Sequence, residues 1–332
     1  MIDKVSVIVP VFNGKNTIKK CILNIQDKNK GILKEIIVIN DNSSDGTTEI
    51  LKKIKKIKII NLKKNKGVGY ARHHGAKIAK YNMLCYVDSD LIISTNSIKK
   101  LIARLKKNKI TGSVGAIQKT MNLTKRNWSS NFVCLKSCYG FDNVKKEIKF
   151  SVIHSEFCVI EKSYLLKIGG WKSYRNAGGE EFELGDRITK SKKEIILIKS
   201  ASYTTYYTDI YTRFKKIIDR TEKYIGILIK KKYFDTTGSF ATKNQSLSAI
   251  CTSLYLIILI FTPFLNIKFM INSISLIFIT QVVLEYNFLM YAKKYFGFKM
   301  LFYSFYGIQI INLGILIGAC NFFINKLLFK NK

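Results

Sequence analysis

Acidic residues are scarce in this chain: 22 Asp and Glu stand against 56 Lys and Arg, giving a formal charge of +34 over 332 residues. Such an excess raises the question of a polyanionic partner. Nucleic-acid modules, however, carry Arg-rich stripes and aromatic platforms, and the bases here are mostly scattered Lys, as in Lys52-Lys53-Ile54-Lys55-Lys56. No nucleic acid is expected; an anionic membrane surface accounts for the charge more economically. A cysteine framework is missing too. Cys134 and Cys138 are four apart, and the other five cysteines have no disulfide or metal-ligand spacing. His73, His74 and His154 complete no zinc pattern. No Gly-x-Gly-x-x-Gly follows the first apolar run and no Gly-x-x-x-x-Gly-Lys-Ser/Thr is present, which argues against dinucleotide and P-loop chemistry. The N-terminus starts a strand almost at once, so no signal peptide is expected.

Charge itself runs out near residue 245. Only seven of the 56 bases lie beyond it. Residues 246–267 and 269–292 are each long enough to cross a bilayer, with Pro263, Asn266 and Lys268 marking a turn between them; residues 301–324 form a third candidate. Lys293, Lys294 and Lys299 favour the cytoplasmic side. A third span then puts Lys326, Lys330 and Lys332 outside, against that rule; three spans are expected, with a re-entrant last segment as the alternative. Ahead of these segments, Tyr211, Phe214, Ile217, Ile218, Tyr224, Ile225 and Leu228 recur at helical spacing among Lys and Arg. Residues 209–245 are therefore expected to hold a basic amphipathic helix and linker, either packed on the protein or lying in the membrane interface.

Before residue 208, apolar runs alternate with helical stretches. Val5–Val9, Glu35–Ile39, residues 57–62 and Met83–Val87 read as strands. Residues 17–26 and 67–80 read as helices between them. The alternation predicts an α/β domain with a mostly parallel, Rossmann-like sheet. Ligands of such sheets bind at the carboxyl ends of the strands. Asn13 follows the first strand, Asp41 the second, and Asp88 with Asp90 the fourth. Asp88-Ser89-Asp90 offers two hard oxygen ligands to Mg²⁺ or Mn²⁺, which takes one or two carboxylates and shares its other positions with phosphates. The competing reading is an acidic turn that caps the following helix. With Arg72 close to the same edge, the residues describe a pocket for a nucleoside diphosphate and a divalent cation.

The runs Val5–Asn13 (VSVIVPVFN), Ile37–Thr47 (IVINDNSSDGT), Asn65–Arg72 (NKGVGYAR) and Val87–Leu91 (VDSDL) resemble the successive signatures of family 2 glycosyltransferases with the GT-A fold. Gly169-Gly170-Trp171, then Gly179-Glu180-Glu181-Phe182-Glu183-Leu184 and Arg187, resemble the family's Gly-Gly-aromatic and acidic elements. The resemblance covers roughly residues 3 to 200. It implies a catalytic domain over residues 1–208 in which Pro10, Val11, Asn13 and Asp41 contact the nucleotide. Asp88 would face the ribose or the metal, Asp90 would ligate the metal, and Glu181 would stand in the general-base position usually held by Asp. Asn40 and His73 also depart from the family's usual residues, and Glu180 is able to share or exchange the role of Glu181.

The implied chemistry is inverting displacement at an anomeric carbon. The donor is a nucleoside-diphosphate sugar, by resemblance a UDP-sugar. The membrane segments point to a lipid-linked saccharide acceptor in surface polysaccharide assembly, with the catalytic domain on the cytoplasmic face of the inner membrane. Transfer to polyprenyl phosphate is a variant; a nucleotide-sugar-binding scaffold without catalysis is the rival, favoured only by the Glu-Glu departure. Trp171 is read either as a wall for the acceptor or as a core aromatic. Arg213 and Arg220, seven apart on one helical face, are read either as holding a lipid phosphate or as a solvated face.

Overall fold

The computed structural model describes residues 4–29, 31–119, 127–142, 144–174, 179–231 and 243–328. Within it the chain forms two compact units, one of residues 1–121 and 141–206, the other of residues 122–140 and 207–332. The expected linker 232–242, and Lys330 and Lys332, lie outside the described residues, as does the side chain of Leu228.

The first unit is built on a mixed sheet. Strands β1 (Val5–Val11), β2 (Leu33–Asn40), β3 (Lys58–Asn61) and β4 (Met83–Val87) are joined by helices α1 (Ile18–Lys28), α2 (Thr47–Lys52) and α3 (Val68–Ile78). β1 lies between β2 and β4, β2 pairs β3, and all three pairings are parallel. Every residue of β1 is buried. Its alternation sends Val5, Val7, Val9 and Val11 to one face with α1 and Leu51, and Ile8 to the other with Ala71 and Ala76 of α3. A strand covered on both faces needs such a continuous apolar run.

Beyond β4 the sheet changes character. β5 (Leu91–Ile93), α4 (Ser97–Lys107), β6 (Thr111–Gln118), β7 (Glu147–Phe150), β8 (Phe157–Glu161), α6 (Lys162–Lys167), α7 (Glu180–Lys190) and β9 (Glu194–Thr205) complete the unit; α5 (Trp128–Asp142) falls almost wholly in the second. The strand order is β3-β2-β1-β4-β8-β6-β9-β5, with β7 also on β9. β8 is antiparallel to both β4 and β6, and β5 and β7 are antiparallel to β9; β6–β9 is the parallel pair of this half. The parallel expectation therefore holds through β4, and the later strands make the sheet mixed. β5 also removes the capping-turn reading of Asp88–Asp90. A strand follows that turn, and α4 starts only after Asn96.

The second unit contains α5 up to Gly140, α8 (Ile210–Lys231), α9 (Lys243–Phe261), α10 (Ile267–Phe296) and α11 (Phe298–Leu328). Segments 243–264, 267–296 and 298–327 are each long and apolar enough to cross a membrane. Pro263 sits in a 3₁₀ turn after α9, and Asn266 caps α10 by accepting from Lys268 N at 2.9 Å. Polar side chains fasten the helices: Gln281 Nε2 donates to Ser248 Oγ and Thr252 Oγ1, and Asn312 Nδ2 donates to the same two oxygens. Satisfying them against one another removes the cost of burying them singly. An apolar groove of about 890 Å³ opens beside this network, with Tyr255, Leu259, Phe278 and Phe305 in its walls.

Candidate active site

The loops that follow β1 and β2 are laced together by backbone N–H groups donating to side-chain oxygens. After Pro10 and Val11, both buried in β1, Asn13 turns left-handed (φ 52°). Its N–H donates to Ser43 Oγ, and its Oδ1 accepts from Ser44 N, each at 2.9 Å. Gly14 N donates to Thr47 Oγ1 and Lys15 N to Asp45 Oδ2, also at 2.9 Å. Asp41 is 3% exposed; its two oxygens accept from Lys66 N and Gly67 N at 2.8 Å, tying the loop before α3 to the end of β2. Each of those oxygens retains a second lone pair. Gly67 has φ +86°, a conformation that side chains resist.

Arg72 is 2% exposed and links the two acidic stretches. Its Nη2 donates to Asp88 Oδ1 at 2.8 Å and its Nη1 to Glu180 Oε1 at 3.4 Å. Trp171 lies beneath it, the guanidinium 5.1 Å from the ring centroid, and meets Tyr86 edge-on at 5.3 Å. With 3% of its surface exposed, Trp171 is a core aromatic that supports Arg72. The Gly-Gly element before it exists for steric reasons. Gly169 and Gly170 have φ +95° and +68°, and a Cβ on Gly170 would lie 2.3 Å from His73 Nδ1. Arg187 clamps this loop, donating through Nη2 to Gly170 O at 2.6 Å and through Nη1 to Ile168 O, while Glu183 holds its guanidinium from one turn earlier.

Glu180 and Glu181 open α7 but point to different surroundings, as neighbours 100° apart on a helix must. Glu180 is 2% exposed and ion-paired with Arg72. Glu181 Oε1 accepts from Ser155 Oγ at 3.5 Å, and its Oε2 is buried without a protein partner. A second cluster, absent from the sequence reading, comes from the antiparallel strands. Glu156 accepts from Asp88 N through its backbone oxygen at 2.9 Å and from Tyr203 OH through Oε2; Tyr203 OH also lies 3.0 Å from His154 Nε2. Burial holds His154 below the ordinary imidazole range, against the pull of Glu156 and Glu181.

Asp88 and Asp90 thus stand among carboxylates. Asp90 Oδ2 accepts from Thr205 Oγ1 at 3.0 Å. Burial pushes the Asp88 carboxyl up to about 7; Arg72 opposes this, while Asp90 and Glu156 add to it. Two carboxylates in the field of a third suit a hard divalent cation, which would relieve their repulsion and complete its shell with phosphate oxygens and water. Among the described residues no group of three His, Cys, Asp or Glu side chains is arranged to hold a metal. Arg213 and Arg220 are on α8, in the second unit.

A mixed sheet of this order is a GT-A-like fold. The fold matches a mannosyltransferase from Pyrobaculum calidifontis in complex with GDP-mannose and Mn²⁺ (TM-score 0.59, 12% identity, 100% of this chain and 89% of that one). It also matches GalNAc-T7 with UDP, GalNAc and Mn²⁺ (TM-score 0.51, 17% identity, 61% and 43%). Residues 6–169 match the family model described as Glycosyl transferase family 2. Similar proteins include poly-beta-1,6-N-acetyl-D-glucosamine synthase of Staphylococcus epidermidis, 27% identical over 186 residues (51% of this chain, 42% of the relative). The synthase of the same name from Staphylococcus aureus strain MSSA476 is 26% identical over 175 residues (51% and 42%). The chain spans less than half the length of these curated relatives.

Proposed function

We propose that this chain is an inverting, cation-dependent glycosyltransferase that moves a sugar from a UDP-sugar to a hydroxyl of a lipid-linked saccharide, in cell-surface polysaccharide assembly at the inner face of a cell membrane. The observation that carries the reading is the buried, unpartnered Oε2 of Glu181 on the helix whose preceding residue is tied through Arg72 to Asp88. Buried carboxylate oxygens find donors; an acceptor hydroxyl is the donor this oxygen awaits. Glu181 takes that proton as the acceptor oxygen bonds to the anomeric carbon and the bond to the diphosphate breaks. Attack from the face opposite the leaving group inverts the centre. Glu180, neutralised by Arg72, is left to orient that arginine. Asp90 and Asp88 would hold the cation, whose charge, when bound, offsets that growing on the departing diphosphate. Asp41 and the Pro10–Asn13 segment would take the nucleotide base.

The donor class is supported by the GDP-mannose bound in one protein of the same fold and the UDP bound in another, and a saccharide acceptor by the synthases that the chain resembles. The apolar groove among α9, α10 and α11 suits the hydrocarbon part of a lipid-linked acceptor. The test incubates membranes containing the protein with a panel of nucleotide sugars, with and without Mn²⁺ or Mg²⁺. Cation-dependent release of one nucleoside diphosphate is expected. Release undiminished by EDTA would remove the metal role of Asp90, and no release from any donor would leave a nucleotide-sugar-binding scaffold.

A further inference from the structure

We propose that the chain crosses the bilayer twice, on α9 and α10, and that α11 does not cross but forms with α8 a two-helix layer on the bilayer surface. This rests on the reading of α9 and α10 as a membrane hairpin and departs from the expectation of three spans.

Direct packing of α8 along α11 carries the inference. A Cβ on Gly314 would meet Phe214 at 3.1 Å and Ile217 at 3.3 Å; one on Gly318 would lie 2.6 Å from the backbone oxygen of Ile218. Further along, Gly226 faces Phe322, and Asn325 Nδ2 donates to Glu222 Oε1 at 2.8 Å. Both sets of numbers rise together, so the helices run side by side in the same direction, α8 residues 214–226 lying level with α11 residues 314–325. Between Arg213 and Lys223, α8 carries seven ionisable side chains in eleven residues. Were α11 a span, those charges would share its depth in the hydrocarbon, where each is strongly disfavoured.

The hairpin shows where the hydrocarbon ends. Asn244 Nδ2, in the first turn of α9, donates to Leu284 O of α10 at 3.1 Å, so residues 244–264 and 267–284 are matched lengths, each close to a bilayer crossing. The next residue, Glu285, is 4% exposed and paired with Lys136 of α5 at 2.9 Å; α10 continues from there against protein. α11 begins beyond that boundary. Its side-chain hydrogen bonds to the hairpin reach Ser248, Thr252 and Gln281, near the open end. From Gly314 on it follows α8, where a third span would follow the hairpin towards its tip.

α11 keeps an apolar stripe for the lipid surface. Phe302, Phe323 and Leu327 are 62%, 52% and 73% exposed and share one face of the helix, while Tyr306 and Leu313 line the groove shared with α9 and α10. Trp128 of α5 stacks on Tyr303 at 5.2 Å, placing aromatic rings of the kind that sit at headgroup level at the start of α11.

The experiment uses the full chain with exposed Cys320 replaced by Ser and single cysteines introduced at exposed positions as Tyr211→Cys, Lys268→Cys and Lys326→Cys. A membrane-impermeant maleimide is applied to sealed right-side-out and inverted vesicles. Lys326→Cys is expected to label from the same face as Tyr211→Cys, and Lys268→Cys from the opposite face. Labelling of Lys326→Cys together with Lys268→Cys, or only after detergent is added, overturns the proposal. Labelling of Lys268→Cys from the Tyr211 side breaks the hairpin reading instead, and the proposal falls with it.

Discussion

Arg72 donates to Asp88 at 2.8 Å from a position that is 2% exposed, making one buried cation the counterweight of an otherwise acidic site. Removing one partner from a buried charge cluster strands the others. Arg72→Ala is expected to cost about 3–5 kcal/mol, read as a fall in melting temperature in detergent or nanodiscs. Arg72→Lys is expected to fail as a substitute, because a single ammonium has no planar fork with which to bridge Asp88 and Glu180.

Glu181→Gln keeps the shape of the side chain and removes its basicity. A loss of about 10²- to 10⁴-fold in turnover is expected, with the melting temperature nearly unchanged. Asp90→Ala is expected to abolish cation-stimulated transfer in an equally folded protein. Near-normal turnover in either variant would break the assignment.

The carboxyl of Asp88, pushed up to about 7, gives stability a pH dependence of definite sign. In EDTA, between the ordinary carboxylate value of about 4 and about 7, the folded chain holds a proton on Asp88 that the unfolded chain has released. Raising the pH through this window therefore weakens the fold, and the contribution levels off above it. Asp88→Asn is expected to remove this component. Melting curves of both proteins at pH 5 and pH 8 measure it: the parent should lose more than the variant.

Gly170→Ala is expected to destabilise the first unit, because it places a methyl 2.3 Å from His73 Nδ1 at a residue with φ +68°. Both overpacking and backbone strain act there, each costing about 1–3 kcal/mol. His73→Ala in the same chain should restore the packing part alone. A double-mutant cycle that finds no coupling between the two positions would refute the contact.

The parallel half of the fold was legible because each signal is local. An apolar run followed by Asp or Asn, as at Asp41 and Asp88, reports strand and edge together. Glu156, His154 and Tyr203 escaped for the opposite reason: they meet only once β8 pairs antiparallel to β4 and β9 comes alongside β6. The available hint was the polar stretch His154-Ser155-Glu156 directly before the wholly buried run Phe157–Ile160. Glu180 and Glu181 were not separable in sequence, since which one meets Arg72 depends on the rotation of α7 at its first turn. Trp171 was equally ambiguous until Tyr86 and Arg72 were seen on either side of it.

The two halves of the sheet join along a single ladder, β4 with β8, which ends where Asp88 N meets Glu156 O. The parallel side supplies the loops around Asp41, and the antiparallel side supplies the stretch through Glu156 that leads into β8. One pairing thus sets the alignment between the loops around Asp41 and the stretch that bears Glu156. Substitutions within either half leave that alignment intact, so each half is free to diversify as a module. An insertion that slipped β8 by one residue would turn every side chain of that strand to the other face and decouple the modules at once.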